Sequence, residues 1–97
     1  MAKKVVWAKG AQNDLIDILT FWIERNGNNE YSTKLFNEFK KFDSMISHFP
    51  HSGKKTNFKD VRAFVKGNFS LFYREQSKLI EILHVWDNRR NPEDLKL

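Results

Sequence analysis

Hydrophobic residues recur along this chain with two different periods. Alternation of period two marks the start and the last third, and a period near 3.6 fills the stretch between them. "KKVVWA" (Lys3–Ala8) is short and β-branched and reads as a strand. From Ala11 the period changes: Ala11, Leu15, Ile18, Leu19, Trp22 and Ile23 form one apolar stripe, with Asp14, Asp17, Glu24 and Arg25 off it. "RNGNN" ends this first predicted helix, with Gly27 suited to the left-handed position after the last turn. A second helix begins near Asn29, where Asn29 or Ser32 is the candidate cap. Its stripe runs Tyr31, Leu35, Phe39, Phe42, Ile46 and Phe49, in steps of three and four. The short "NGNN" link makes the two helices an antiparallel hairpin.

"FPHSGKKTNFK" (Phe49–Lys59) reads as a basic loop, because Pro50, Ser52 and Gly53 interrupt any period. Three strand signals follow: "VRAFVK" (Val61–Lys66), "FSLFYRE" (Phe69–Glu75) and "LIEILHVW" (Leu79–Trp86). Connections of a few residues predict a three-stranded antiparallel meander. The order is thus β-α-α-β-β-β, an α+β fold with a helical hairpin packed on one face of a small antiparallel sheet. The first strand is expected to join that sheet, at a position that periodicity does not give.

Alternation also divides the strands into faces. The simplest division buries Val61, Ala63 and Val65 with Phe69, Leu71 and Tyr73 beneath the helices. It leaves Arg62, Lys66 and Arg74 on an open face. The last strand is apolar on both sides, as an interior strand is, with Glu81 on one face and His84 on the other.

Composition narrows the function classes. A single domain of 97 residues buries roughly 65% of its unfolded surface, enough for one core. Nine phenylalanines and three tryptophans make that core aromatic. The absence of cysteine excludes disulfides, thiolate metal sites and cysteine nucleophiles, and fits a reducing, cytoplasmic location. No apolar run is long enough to span a bilayer or form a signal-peptide core, so no membrane partner is expected. The net charge of +5 suits a polyanionic partner, nucleic acid or an acidic protein segment, although a merely soluble basic surface is the commoner meaning.

Candidate chemistry is sparse. His48 and His51 flank Pro50 with no third ligand nearby, so they read as loop histidines and not as a metal site. His84 has the type of side chain that serves as general acid or base, but a hydrogen-bonded sheet histidine is the plainer alternative. Arg62 sits on a rigid strand, where a site arginine and a surface arginine weigh about equally. Arg89 and Arg90 suit phosphate through the planar fork of the guanidinium, or simply solubilise a strand end. Trp86 has the ring to stack on a base, though tryptophan is more often core; Tyr73 reads as structural. No glycine-rich phosphate loop or Ser-His-Asp arrangement is present.

Several blocks together carry a resemblance. "VVWA", "DLIDI", "FPHSGK", "DVRAFVKGNFSLFYRE" and "IEILHVWDNRRNPEDL" follow one another in an order that resembles the RelE/ParE superfamily of toxins from type II toxin–antitoxin modules, from about Val5 to Leu95. The resemblance implies the β-α-α-β-β-β fold and a cognate antitoxin that folds on binding. Its first implication is a RelE-like toxin that cuts messenger RNA on the ribosome, without metal or cofactor; the alternatives are a ParE-like inhibitor of DNA gyrase and a degenerate member that keeps only antitoxin binding.

Carried onto this sequence, the nuclease reading assigns Arg62, His84, Asp87 and Arg90 to the chemistry. Lys54, Lys55, Lys66, Arg74 and Arg89 would then bind nucleic acid. Two departures stand out. Asp87 occupies a place where many relatives have histidine, and the C-terminal tyrosine of some nucleases has no counterpart in "NRRNPEDLKL". His84 or Asp87 would have to move protons in their stead, or Asp87 pairs with an arginine and shapes the turn.

Overall fold

The computed structural model describes residues 2–89. Seven elements follow in order: β1 (Lys4–Trp7), α1 (Lys9–Asn26), α2 (Glu30–His48), β2 (Lys54–Lys55), β3 (Val61–Lys66), β4 (Phe69–Glu75) and β5 (Leu79–Asp87). This is the predicted α+β arrangement, with one addition: a two-residue strand, β2, inside the basic loop. It is too short for periodicity to register. The sheet runs β1-β5-β4-β3-β2. The meander β3-β4-β5 is antiparallel as expected, whereas β1 joins parallel to β5, with Val5 opposite Ile80 and Trp7 opposite Ile82. The hairpin supplies the long crossover that a parallel return requires. β5 is therefore interior, as its apolar faces predict.

The stop signal of the first helix acts as expected. Gly27 ends α1 at φ 71°, its N–H bonded to the Ile23 carbonyl at 2.9 Å. Neither proposed cap at α2 works through its own side chain. Asn29 holds the cap position without a side-chain bond, and the Asn28 carboxamide oxygen accepts from the Glu30 N–H at 3.1 Å. Ser32 is buried and donates to the Leu19 carbonyl at 2.8 Å, tying the two helices together.

Leu35, Phe39, Phe42 and Ile46 of α2 pack against Phe69, Leu71, Tyr73, Ile80, Ile82 and Val85 of the sheet. Each fully buried apolar side chain of this size contributes roughly 1.5–3 kcal/mol. α1 buries only Ala11 completely, with Leu15, Ile18, Leu19 and Trp22 half-covered and Ile23 exposed. Among the described residues no helix is long and apolar enough to cross a membrane.

The strand faces need two corrections. Register places Arg62 opposite Tyr73, Phe64 opposite Leu71 and Lys66 opposite Phe69. Arg62, Phe64 and Lys66 therefore share the helix-covered face, not the open one, and only Arg74 of the three cations stays where alternation put it. The Phe64 ring decides this: it packs on Phe42 at 5.2 Å between centroids while Val65 is 62% exposed. Burying the larger apolar surface outweighs covering a valine.

The second correction lies in β5. A bulge inserts Leu83 where Phe72 and Tyr73 of β4 face His84 and Ile82. The extra residue puts Glu81 and His84 on the same face, where strict alternation separates them.

Candidate functional site

Most of the predicted site residues that the structure describes fall into two groups on different sides of the sheet. The first gathers around Tyr73. Its ring is fully buried against Phe42, and its hydroxyl accepts from the Gly53 N–H and donates to the Pro50 carbonyl, both at 2.8 Å. The Arg62 guanidinium donates from Nη1 to the Gly53 carbonyl at 2.9 Å. Two residues from separate strands, Tyr73 and Arg62, thus fix the loop that follows α2, leaving little room at Gly53. A Cβ there would stand 2.6 Å from the Tyr73 hydroxyl and 3.0 Å from the Ala63 carbonyl.

Lys55 is the cross-strand partner of Arg62, and Lys54 that of Ala63. Lys55, Lys59, Arg62 and His51 line one side of a cleft of about 430 Å³, together with Asp60 and Glu75. Glu75 is not idle: it accepts from Lys3 at 2.9 Å and from His51 at 2.8 Å, and those two bonds hold its carboxyl below the usual range.

The second group lies where β5 runs past the end of β1. There α1 takes over the strand edge. Asp14 accepts from the Val85 backbone N–H at 3.0 Å and from His84 Nδ1 at 2.9 Å. Gly10 allows the close approach, since a Cβ at that position would lie 2.8 Å from His84 Cε1. His84 is thus the hydrogen-bonded sheet histidine, and its partner is an acid 70 residues earlier in the sequence.

Beyond it, Asp87 accepts a forked pair from Arg89, Nε at 2.9 Å and Nη2 at 2.6 Å, and the Arg89 backbone N–H at 2.9 Å. The carboxylate raises the Arg89 pKa further. The guanidinium also sits 5.5 Å from the Trp22 ring centroid. Asp87 therefore shapes the turn after β5.

The two groups do not meet. Arg62 pairs with Tyr73 and His84 with Phe72, adjacent residues on opposite faces, and two strand spacings of roughly 10 Å in total separate them. Lys66 lies at the far end of β3, about 13 Å along the strand from Arg62, beside Glu38, Lys41 and Phe42. Arg74 has Val61 and Glu81 as its cross-strand neighbours. Arg90 lies outside the described residues.

Sequence reasoning did not connect Asp14 with His84, or assign Tyr73 its loop. Asp14 stands off the apolar stripe of α1, which marks it only as polar. A separate polar pair, Asp43 with Trp7 Nε1 at 3.0 Å, also went unread; burial raises the Asp43 pKa and the indole N–H partly offsets it.

Residues 5–92 match the family model described as the ParE toxin of the type II toxin–antitoxin system parDE. The chain belongs to the ParE toxin family. Solved structures agree on the fold of a ParE-like chain. A chain of the chromosomal ParDE toxin–antitoxin system from P. aeruginosa superposes with a TM-score of 0.75 at 20% identity, covering 87% of this chain and 94% of that one. A chain of the RelBE2 toxin–antitoxin complex from Mycobacterium tuberculosis gives 0.67 at 18% identity, covering 88% and 96%. One from the E. coli DinJ-YafQ complex gives 0.56 at 10% identity, covering 92% and 96%. Comparison with curated protein sequences finds no significant match.

Proposed function

We propose that this ParE-family chain is a toxin that arrests growth by binding DNA gyrase, without cleaving RNA, and that a cognate antitoxin neutralises it. The observation that carries this reading is the separation of Arg62 from the candidate proton-transfer groups. General acid–base catalysis requires the proton carrier within hydrogen-bond reach of the reacting group that a cation stabilises. Here His84 is engaged by Asp14 on the other face from Arg62, and Asp87 is occupied by Arg89. A binding toxin needs no such constellation. The family match, to a ParE model, points the same way. An acidic antitoxin segment that folds on this surface would complement the +5 charge.

Messenger RNA cleavage on the ribosome has one observation in its favour: Lys55, Lys59 and Arg62 border a single cleft. Two measurements on the same protein separate the readings. Purified toxin should inhibit gyrase supercoiling, and transcript ends mapped after induced expression should be unchanged. Fresh transcript ends with normal supercoiling would instead establish the nuclease reading. A chain that leaves both unaffected and does not slow growth would be a degenerate member retaining antitoxin binding alone.

A further inference from the structure

The two edges of the sheet are finished differently. At β1, outward backbone groups near both ends of the strand are taken up. The Lys3 N–H donates to the Ser47 carbonyl at 3.1 Å, the Ser47 hydroxyl donates to the Lys3 carbonyl, and the Gln12 carboxamide donates to the Trp7 carbonyl at 2.8 Å. At the other edge, β2 covers β3 only as far as Lys54 opposite Ala63. Gly53, the residue before Lys54, is held by Tyr73 and Arg62, and nothing before it continues the ladder.

The hydrogen bonds show what is left uncovered. The Val61 carbonyl accepts from the Thr56 N–H at 3.1 Å, so it points outward, away from β4. Register with β4 runs unbroken from Val61 to Lys66, and alternation therefore turns the N–H and C=O of Ala63 and Val65 outward too. Ala63 has Lys54 beside it. Val65 has no strand beyond it among the described residues, and its side chain is 62% exposed. An edge left open in this way is a template for another strand.

A groove of about 330 Å³ runs beside it, lined by Phe42 and Met45 of α2, Phe64 of β3, and the charged Glu38, Lys41 and Lys66. The lysines outnumber the acid, and neither has an ion-pair partner among the described residues. Phe64 and Lys66 flank Val65 and share the groove side of the strand. A strand laid antiparallel along Val65 places the two neighbours of its central residue over Lys66 and Phe64.

We propose that the β3 edge at Val65 accepts an extended segment of a partner protein, in line with β2 and of the pattern acidic-aliphatic-aliphatic. Its carboxylate lies opposite Lys66, its central residue bonds the Val65 N–H and C=O, and its last side chain rests on Phe64 and Met45. Lys66 and Arg62 are at opposite ends of β3, so the inference holds whichever target the toxin has.

The test uses the whole chain and three peptides: acetyl-Ser-Glu-Val-Leu-Ser-amide, the same peptide N-methylated at valine, and the same peptide with lysine for glutamate. In an NMR titration the first should shift the amides of Phe64, Val65 and Lys66 and, near saturation, slow hydrogen exchange at Val65 by about tenfold. N-methylation keeps every side chain and removes the donor to Val65; it should weaken binding by about tenfold. The lysine peptide should bind about threefold more weakly, and Lys66→Glu, at an exposed position, should reverse that preference. Equal binding of the N-methylated peptide, or a Val65 amide unmoved at millimolar peptide, would overturn the proposal. So would Val65 protection that rises with protein concentration in the absence of peptide, because a second copy pairing edge to edge would then be the occupant.

Discussion

At the β2–β3 side of the sheet, polar side chains hold backbone: Tyr73 and Arg62 close on Gly53 and Pro50. At the β1–β5 side, carboxylates hold side chains and a strand edge: Asp14 takes His84 and the Val85 N–H, and Asp87 takes Arg89. The first side is buried and positions a loop. The second is half-exposed and covers an edge that β1 is too short to pair. The residues most suited to chemistry by type are thus spent on structure in both places, and the proposal of a binding function rests on that. The difference in burial also predicts how each side fails. Loss on the buried side leaves unpaired groups away from water, whereas loss on the half-exposed side is softened by solvent.

The largest effect should come from Gly53→Ala. The added methyl has no space between the Tyr73 hydroxyl and the Ala63 carbonyl, and one of the two is backbone. Overpacking of this kind costs about 3 kcal/mol, read as a lower urea midpoint with an unchanged slope. A variant as stable as the parent would mean that the loop is not pinned and the contrast between the two sides is false. Asp14→Ala should cost less, about 2 kcal/mol, because it strands the Val85 N–H and the His84 ring where water still has access. Hydrogen exchange of the Val85 amide should rise sharply in this variant. If it does not, α1 covers the β5 edge without help from Asp14.

Much of the architecture was legible in the residues. The stripe Leu35, Phe39, Phe42, Ile46 specifies α2 and its buried face, and the alternation of β4 put Leu71 and Tyr73 under the helices, but the face it left open is covered as well, with Ser70 and Phe72 buried. In β3 the same rule failed, because Val-Arg-Ala-Phe-Val-Lys has apolar residues on both faces and only the partner ring of Phe42 decides between them. Bulges leave no composition signal, so the turn of His84 toward the face of Glu81 was unreadable. Contacts between distant residues, such as Asp14 with His84, depend on a fold that local pattern does not encode. Arg62 was singled out correctly as a rigid strand arginine, but its direction, and so its neighbours, required the register.

Acid should act through Glu75, and with the smallest effect. Glu75 fastens Lys3 from the chain start and His51 from the loop, and those hydrogen bonds lower its carboxyl pKa below 4.5 in the folded chain. A carboxyl with a lowered folded pKa binds its proton more readily when unfolded. Its stabilisation is therefore complete above 4.5 and disappears as pH falls through the folded value. Glu75→Gln should be less stable than the parent near neutrality, and the gap should close as urea midpoints are followed down below that point. The Glu75 side chain is partly exposed to solvent, so the gap is expected to be small and to shrink further in salt. A gap that stays constant through the acid range would show that the clasp works by packing. The charges of Lys3 and His51 would then have no part in holding the loop, and the two sides of the sheet would differ only in burial.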